Sequence, residues 1–158
     1  GEYLDIDRPG DCKSRIISGF LPLEPGTVLA EGMMEGQVVC SHKLVTCKEA
    51  EKLIFTDFPE PAKKLPAQLL FTVTAVDRDG NPDFRENREV SFAAEGPCIV
   101  EGVDSGYLCS QEPFDSDDIH MHQGRASVIL RVTGPGTIIV HACGKGLEKA
   151  TTCFHTGI

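Results

Sequence analysis

The sequence contains no tryptophan and only two tyrosines among its 158 residues. Modules dedicated to gripping sugars stack pyranose rings on exposed aromatic faces, so this scarcity argues against a lectin. Positive charge is also short. Fifteen Lys and Arg face 24 Asp and Glu, for a formal charge of -9, and a partner such as nucleic acid or an anionic membrane needs basic patches. No apolar run approaches the ~20 residues that span a bilayer. No signal or lipidation pattern is visible, which bears only on the residues given. No C-x-x-C pair occurs, which removes the usual zinc-knuckle spacing. A sustained helical period is missing as well.

What is present is strand pattern and turn chemistry. The 41% hydrophobic fraction is ordinary, so a packed core is within reach. In Glu89–Gln111, Val90, Phe92 and Ala94 share one phase while Ser91 and Ala93 take the other, the period of a strand with unlike faces. Gly96-Pro97 breaks that ladder, and Gly102, Asp104 and Gly106 read as a permissive corner. Phe71, Val73 and Ala75 share a face in Leu69–Val76. Asp79-Gly80-Asn81-Pro82 marks a hairpin or loop. Residues 112–123 are acidic and irregular. Ala126–Val132 alternates again, and Gly134-Pro135-Gly136 turns the chain into a further strand. Upstream, Arg15–Leu21, Thr27–Ala30, Gln37–Thr46 and Lys52–Phe58 are predicted strands. The three prolines of 59–66 read as a linker. Short strands punctuated by Gly and Pro predict an all-β, antiparallel β-sandwich.

The chain also repeats itself. With an offset of 110 positions, Arg15 falls on Arg125, Pro25-Gly26-Thr27 on Pro135-Gly136-Thr137, Gly36 on Gly146 and Thr46 on Thr156. The second copy is preceded by residues 65–124, the first only by 1–14. Residues 1–58 are therefore expected to be the closing strands of a β-sandwich whose opening lies upstream, followed by a linker at 59–66 and an immunoglobulin-like sandwich at 67–158. Such a partial unit would bare an apolar face and pack on a neighbour.

Candidate chemistry is thin. Asp77, Asp79, Asn81 and Asp83 place oxygen ligands at every second residue, which suggests calcium. Gly80 falls too early for a calcium loop of the EF-hand kind, and Arg88 stands where its closing Glu would be. His120 and His122 on one strand would share a face beside Asp115, Asp117 and Asp118, with His141 as a third ligand only if the fold supplies it. Glu95 and Glu101 flank the Gly96-Pro97 break, but a glycosidase pair needs a cleft around two carboxylates, and these sit in a turn region. Each set reads first as ordinary loop chemistry. No catalytic, cofactor-binding or metal-binding residue is assigned. Seven cysteines, Cys12, Cys40, Cys47, Cys98, Cys109, Cys143 and Cys153, leave at least one thiol unpaired; most are expected to be small buried hydrophobes in strands.

Several motifs in order carry a family resemblance: Phe71–Asn81, Val90-Ser91-Phe92, Gly96-Pro97, Val103-Asp104-Ser105-Gly106, Gly124-Arg125-Ala126, Gly136-Thr137-Ile138 and Gly146–Ala150. Together they resemble the C-terminal immunoglobulin-like domain of family 2 glycoside hydrolases, the β-galactosidase-like enzymes. Glu24–Gly32 with Gly36–Val39 and Thr46 is similar to the end of the sandwich domain before it. The resemblance implies that this is a non-catalytic accessory region. Its parent would be a retaining β-glycosidase whose two catalytic glutamates lie in a (β/α)8 barrel, a fold that takes ~250 residues of its own. It also implies partners among the other domains of that polypeptide, or a second copy, and contact with carbohydrate only through the parent. A stand-alone carbohydrate-binding module and a bacterial adhesin or spacer domain are the alternatives. Location stays open, with a periplasmic or extracellular place favoured over a cytoplasmic one because many such enzymes are exported, although an odd set of thiols suits a reducing compartment.

Overall fold

The computed structural model describes residues 24–59 and 66–157. Cys12 and the predicted strand Arg15–Leu21 lie outside them. The described residues are all-β. Ten strands form: β1 (Thr27–Met34), β2 (Gln37–Val45), β3 (Lys52–Asp57), β4 (Ala67–Val76), β5 (Glu89–Glu95), β6 (Cys98–Asp104), β7 (Asp118–His120), β8 (Arg125–Val132), β9 (Gly136–Gly144) and β10 (Ala150–Thr156). The chain divides into two compact units, one through Val45 and one from Thr46 onward.

The second unit is an antiparallel sandwich of two four-stranded sheets, ordered β3-β4-β8-β6 and β10-β9-β5-β7. Alternation builds it. Phe71, Val73 and Ala75 of β4, Val90 and Phe92 of β5, Val128 and Leu130 of β8, and Ile138 and Val140 of β9 are all buried in one core cluster. Phe71 is fully buried and meets Phe55 and Phe154 edge-to-face, with centroids 6.3 and 5.8 Å away. Because Phe154 belongs to the opposite sheet, these rings tie the two layers together. The outer face of β4 is closed by hydroxyl pairs, Thr56 with Thr74 at 3.0 Å and Thr72 with Ser127 at 2.9 Å.

Several expectations need correcting. Lys52–Asp57 does not belong with the N-terminal unit. It pairs with β4 as an edge strand, and Leu53 sits in the sandwich core. Residues 59–66 therefore connect two neighbouring strands of one sheet, and 60–65 lie outside the described residues. Strand period identifies a strand, not its partner. The acidic stretch conceals β7, whose Ile119, with Met121 just after it, is buried. Gly102 lies inside β6 at a bulge, where a Cβ would meet the carbonyl oxygen of Phe114. Of the two readings of Asp79–Pro82, hairpin or loop, the loop holds: the stretch starts a connection between the two sheets. Finally, Cys40, Cys109, Cys143 and Cys153 are exposed and Cys47 and Cys98 half-buried; all six are free thiols. Cys143 and Cys153 occupy outward phases of their strands, where composition alone gives no warning.

The first unit contains the hairpin β1–β2, closed by Glu35 and Gly36 with φ of 51° and 77°, a two-residue turn of the primed kind. The repeat seen in the sequence is exact in pairing. Thr27 pairs with Val45 as Thr137 pairs with His155, Val28 with Leu44 as Ile138 with Phe154, and Gly32 with Cys40 as Ala142 with Ala150. In β9–β10 the face carrying Ile138, Val140 and Ala142 is fully buried. Its counterpart in β1–β2 carries Val28, Ala30 and Leu44, and these are exposed.

Candidate functional site

Polar chemistry gathers at the end of the sandwich where β4 stops. The loop after Val76 returns on itself: the Asp77 N–H donates to the Asn81 carbonyl at 2.9 Å, and the Gly80 N–H to the Asp77 carbonyl at 3.0 Å. The Asp77 side chain is the centre of this knot. It accepts the backbone N–H groups of Lys48, Asp79 and Asn81 at 3.0, 3.0 and 2.8 Å, and the Asn81 amide besides. The Lys48 bond foremost, with the others, holds its carboxyl down from 3.8 to about 2. These oxygens point at amides, not outward as cation ligands would.

Asp83 and Glu86 are spent in the same way. Asp83 accepts Arg85 Nε at 2.8 Å and the Arg85 N–H at 3.1 Å, and the guanidinium holds its carboxyl below the usual range. Glu86 takes the Arg88 guanidinium together with the N–H groups of Asn87 and Arg88, and its carboxyl is lowered first by that Arg88 bond. Arg88 continues to the Ala50 carbonyl at 3.1 Å, pinning the segment before β3. An open depression of about 460 Å³ lies over this network, lined by Cys47, Lys48, Glu49, Asp83, Arg85 and Glu86. Its thiol is a poor nucleophile. Burial, then the Asp83 charge, pushes Cys47 up, and its Sγ stands 3.6 Å from Asp83 Oδ1.

The two histidines weighed as a chelating pair, and read first as loop residues, take separate partners. His120 Nδ1 lies 2.7 Å from Glu112 Oε1; that bond raises the imidazole and lowers the carboxyl. The His122 ring stacks on Tyr107 with centroids 4.7 Å apart. His141 Nδ1 is 3.0 Å from the Thr151 hydroxyl, and its Nε2 3.5 Å from Glu95. Glu95 thus does have a histidine beside it, which the sequence did not show. Glu101 accepts Gln68 Nε2 at 2.6 Å and lies 3.5 Å from Arg131 Nε. Glu95 and Glu101 stand on different sheets, each with its own partner. Asp115, Asp117 and Asp118 are exposed. Among the described residues no three His, Cys, Asp or Glu side chains converge as metal ligands.

A second hollow, of about 220 Å³, was not visible in the sequence. Three separate loops line it: Phe84 from the first, Ser105 and Gly106 from the second, and His122, Gln123 and Arg125 from the third. Only the Gln123-Gly124 turn signals it locally, with φ of 50° and 71° at the tip between β7 and β8.

Comparison with known proteins follows this architecture. The chain is similar to part of a β-glycosidase from Bacteroides vulgatus, at 19% identity and a TM-score of 0.78, over 86% of this chain and 18% of that one. It is similar to a glycosyl hydrolase family 2 member from Bacteroides cellulosilyticus, at 23% identity and 0.74, over 85% and 19%. A β-glucuronidase from glycoside hydrolase family 2 is similar at 24% identity and 0.66, over 85% and 14%. At these identities the likeness establishes fold. The chain spans about a fifth of the length of the first two proteins it resembles. Comparison with curated protein sequences gives no match. Residues 68–153, more than half of the chain, match the sequence model of glycoside hydrolase family 2 C-terminal domain 5. With the sandwich in place and the motif order intact, the chain belongs to the C-terminal immunoglobulin-like domains of the family 2 glycoside hydrolases.

Proposed function

We propose that this chain is a non-catalytic accessory region of a family 2 β-glycosidase, supporting a catalytic part that hydrolyses O-glycosidic bonds with retention at the anomeric carbon. The observation that carries this reading is the use made of the acids. Asp77, Asp83 and Glu86, the most buried carboxylates among the described residues, are consumed by backbone amides and arginines and held ionised. A glycosidase acid needs the opposite, a carboxyl kept protonated near neutrality. Similar folds occur in a β-glycosidase and a β-glucuronidase, so fold does not choose between a galactoside and a glucuronide for the parent.

The partner we propose is another part of the same polypeptide. The Val28, Ala30 and Leu44 face of β1–β2 has the pairing of a hairpin that, in β9–β10, lies against an opposing sheet. It supports packing on a second sheet of like kind. The test is direct. The isolated chain should release no nitrophenol from a panel of nitrophenyl β-glycosides. A parent enzyme shortened by these residues should lose solubility or thermal stability while its barrel keeps the catalytic glutamates. Turnover by the chain alone refutes the proposal.

A further inference from the structure

The hollow between Phe84 and the Gln123 turn is built more firmly than a loop end requires. Gly124 donates its N–H to the Glu86 carbonyl at 2.9 Å, and its own carbonyl accepts the Ala75 N–H at 2.8 Å. A Cβ on Gly124 would run into the carbonyl oxygen of Asp83, so this turn is seated against the Phe84 loop without slack. His122 and Arg125 exchange backbone bonds at 2.9 and 3.1 Å, fixing Gln123 at the tip in a left-handed conformation. The third loop is tied by Asp104 Oδ1, which accepts the Gly106 N–H at 2.9 Å. His122 is held in place by its stack on Tyr107.

The lining has a specific chemistry. Phe84 is 56% exposed, an apolar ring left in water. Arg125 lies over it, 5.8 Å from the centroid to Cζ. Among the described residues Arg125 has no carboxylate partner, although the chain carries an excess of nine negative charges. Gln123, Ser105 and His122 add hydrogen-bonding groups around the same space. A ring with an apolar face, hydroxyls on its rim and one anionic substituent satisfies all of these at once. The face of such a ring would meet Phe84, its hydroxyls Gln123, Ser105 and His122, and its anion the guanidinium, which matches carboxylate and sulfate geometry in a bidentate way.

We propose that this hollow is a sugar-binding subsite that seats one pyranose unit bearing a carboxylate or a sulfate. The choice of a sugar over another anionic ring rests on the parent being a glycosidase. Binding is read here without any hydrolysis, so the two readings fail separately. The experiment is an amide-resolved NMR titration of the 158-residue chain with glucuronic acid, glucose 6-sulfate, glucose and inorganic sulfate. Both acidic sugars should shift Phe84, Gly106, Gln123 and Arg125 in a saturable way; whichever saturates first names the anionic group. Glucose should bind ~10-fold more weakly or worse, the loss expected without a charge-assisted pair, and Arg125→Gln should erase that difference. Because Arg125 is exposed at a strand end, the thermal melt of R125Q should match the wild type. Equal affinity for glucose removes the role of Arg125. Inorganic sulfate binding as well as the acidic sugars makes this a plain anion site. Shifts elsewhere, or none, overturn the subsite.

Discussion

Replacing Phe71 by alanine tests the architecture at its centre. The ring has no exposure and stands edge-to-face between Phe55 of its own sheet and Phe154 of the other. Truncating a buried phenylalanine costs ~3–5 kcal/mol, from lost transfer energy and the cavity left behind. Neighbours in β4 and β8 are held by strand pairing on both sides and have little room to collapse into the gap. The upper half of that range, about 4 kcal/mol, is therefore expected, against a total of ~5–15 kcal/mol for a domain. For a unit of this size it lowers Tm by ~15 °C. Urea unfolding followed by far-ultraviolet circular dichroism gives the free energy, and calorimetry the Tm. Two further variants make the result specific. Phe84→Ala, on an exposed ring, should stay within ~0.5 kcal/mol of the wild type. Phe71→Ala with Phe154→Ala should cost less than the two separate losses combined, by the ~0.5–1.5 kcal/mol of an aromatic pair. A loss below ~1.5 kcal/mol for Phe71→Ala would show that the sheets do not pack through this ring, and strict additivity that the two rings do not touch.

Other outcomes follow from the same structure. Asp77 is depressed from 3.8 to about 2, so the stability it adds is present above its unfolded value and lost as pH falls toward the folded one; the gap between wild type and Asp77→Asn, measured by urea midpoints, should close between those two values. His120 is raised by Glu112, so its contribution is present below the ordinary 6.5 and fades as pH rises; His120→Gln should cost stability at pH 5.5 and nothing at pH 9. Gly96→Ala, whose Cβ would strike the Thr137 carbonyl at φ 106°, should destabilise more than Gly80→Ala, which meets open space at φ 89°, in a comparison of melts. Cys109, Cys143 and Cys153 should react with a disulfide reagent in the native protein, whereas Cys98, raised by burial, should wait for denaturant.

Alternation along β4, β5 and β8 and the Gly-Pro punctuation determined by themselves that this chain is a β-sandwich, because a period of two leaves one face apolar and forces two sheets together. The offset of 110 positions likewise determined a duplicated hairpin, down to its residue pairing. Family membership was legible in the order of the motifs. Which strands pair was not: β3 joined the second unit and β7 emerged from an acidic stretch, since partner choice depends on long-range packing that local pattern does not encode. Nor were the roles of the polar side chains. Asp77, Asp79, Asn81 and Asp83 look like a cation loop in sequence, and only the folded backbone shows that amides and Arg85 take the oxygens of Asp77 and Asp83. Phe84, Gly106 and Arg125 are far apart along the chain, and it is the meeting of three loops at one end of the sandwich that makes them neighbours.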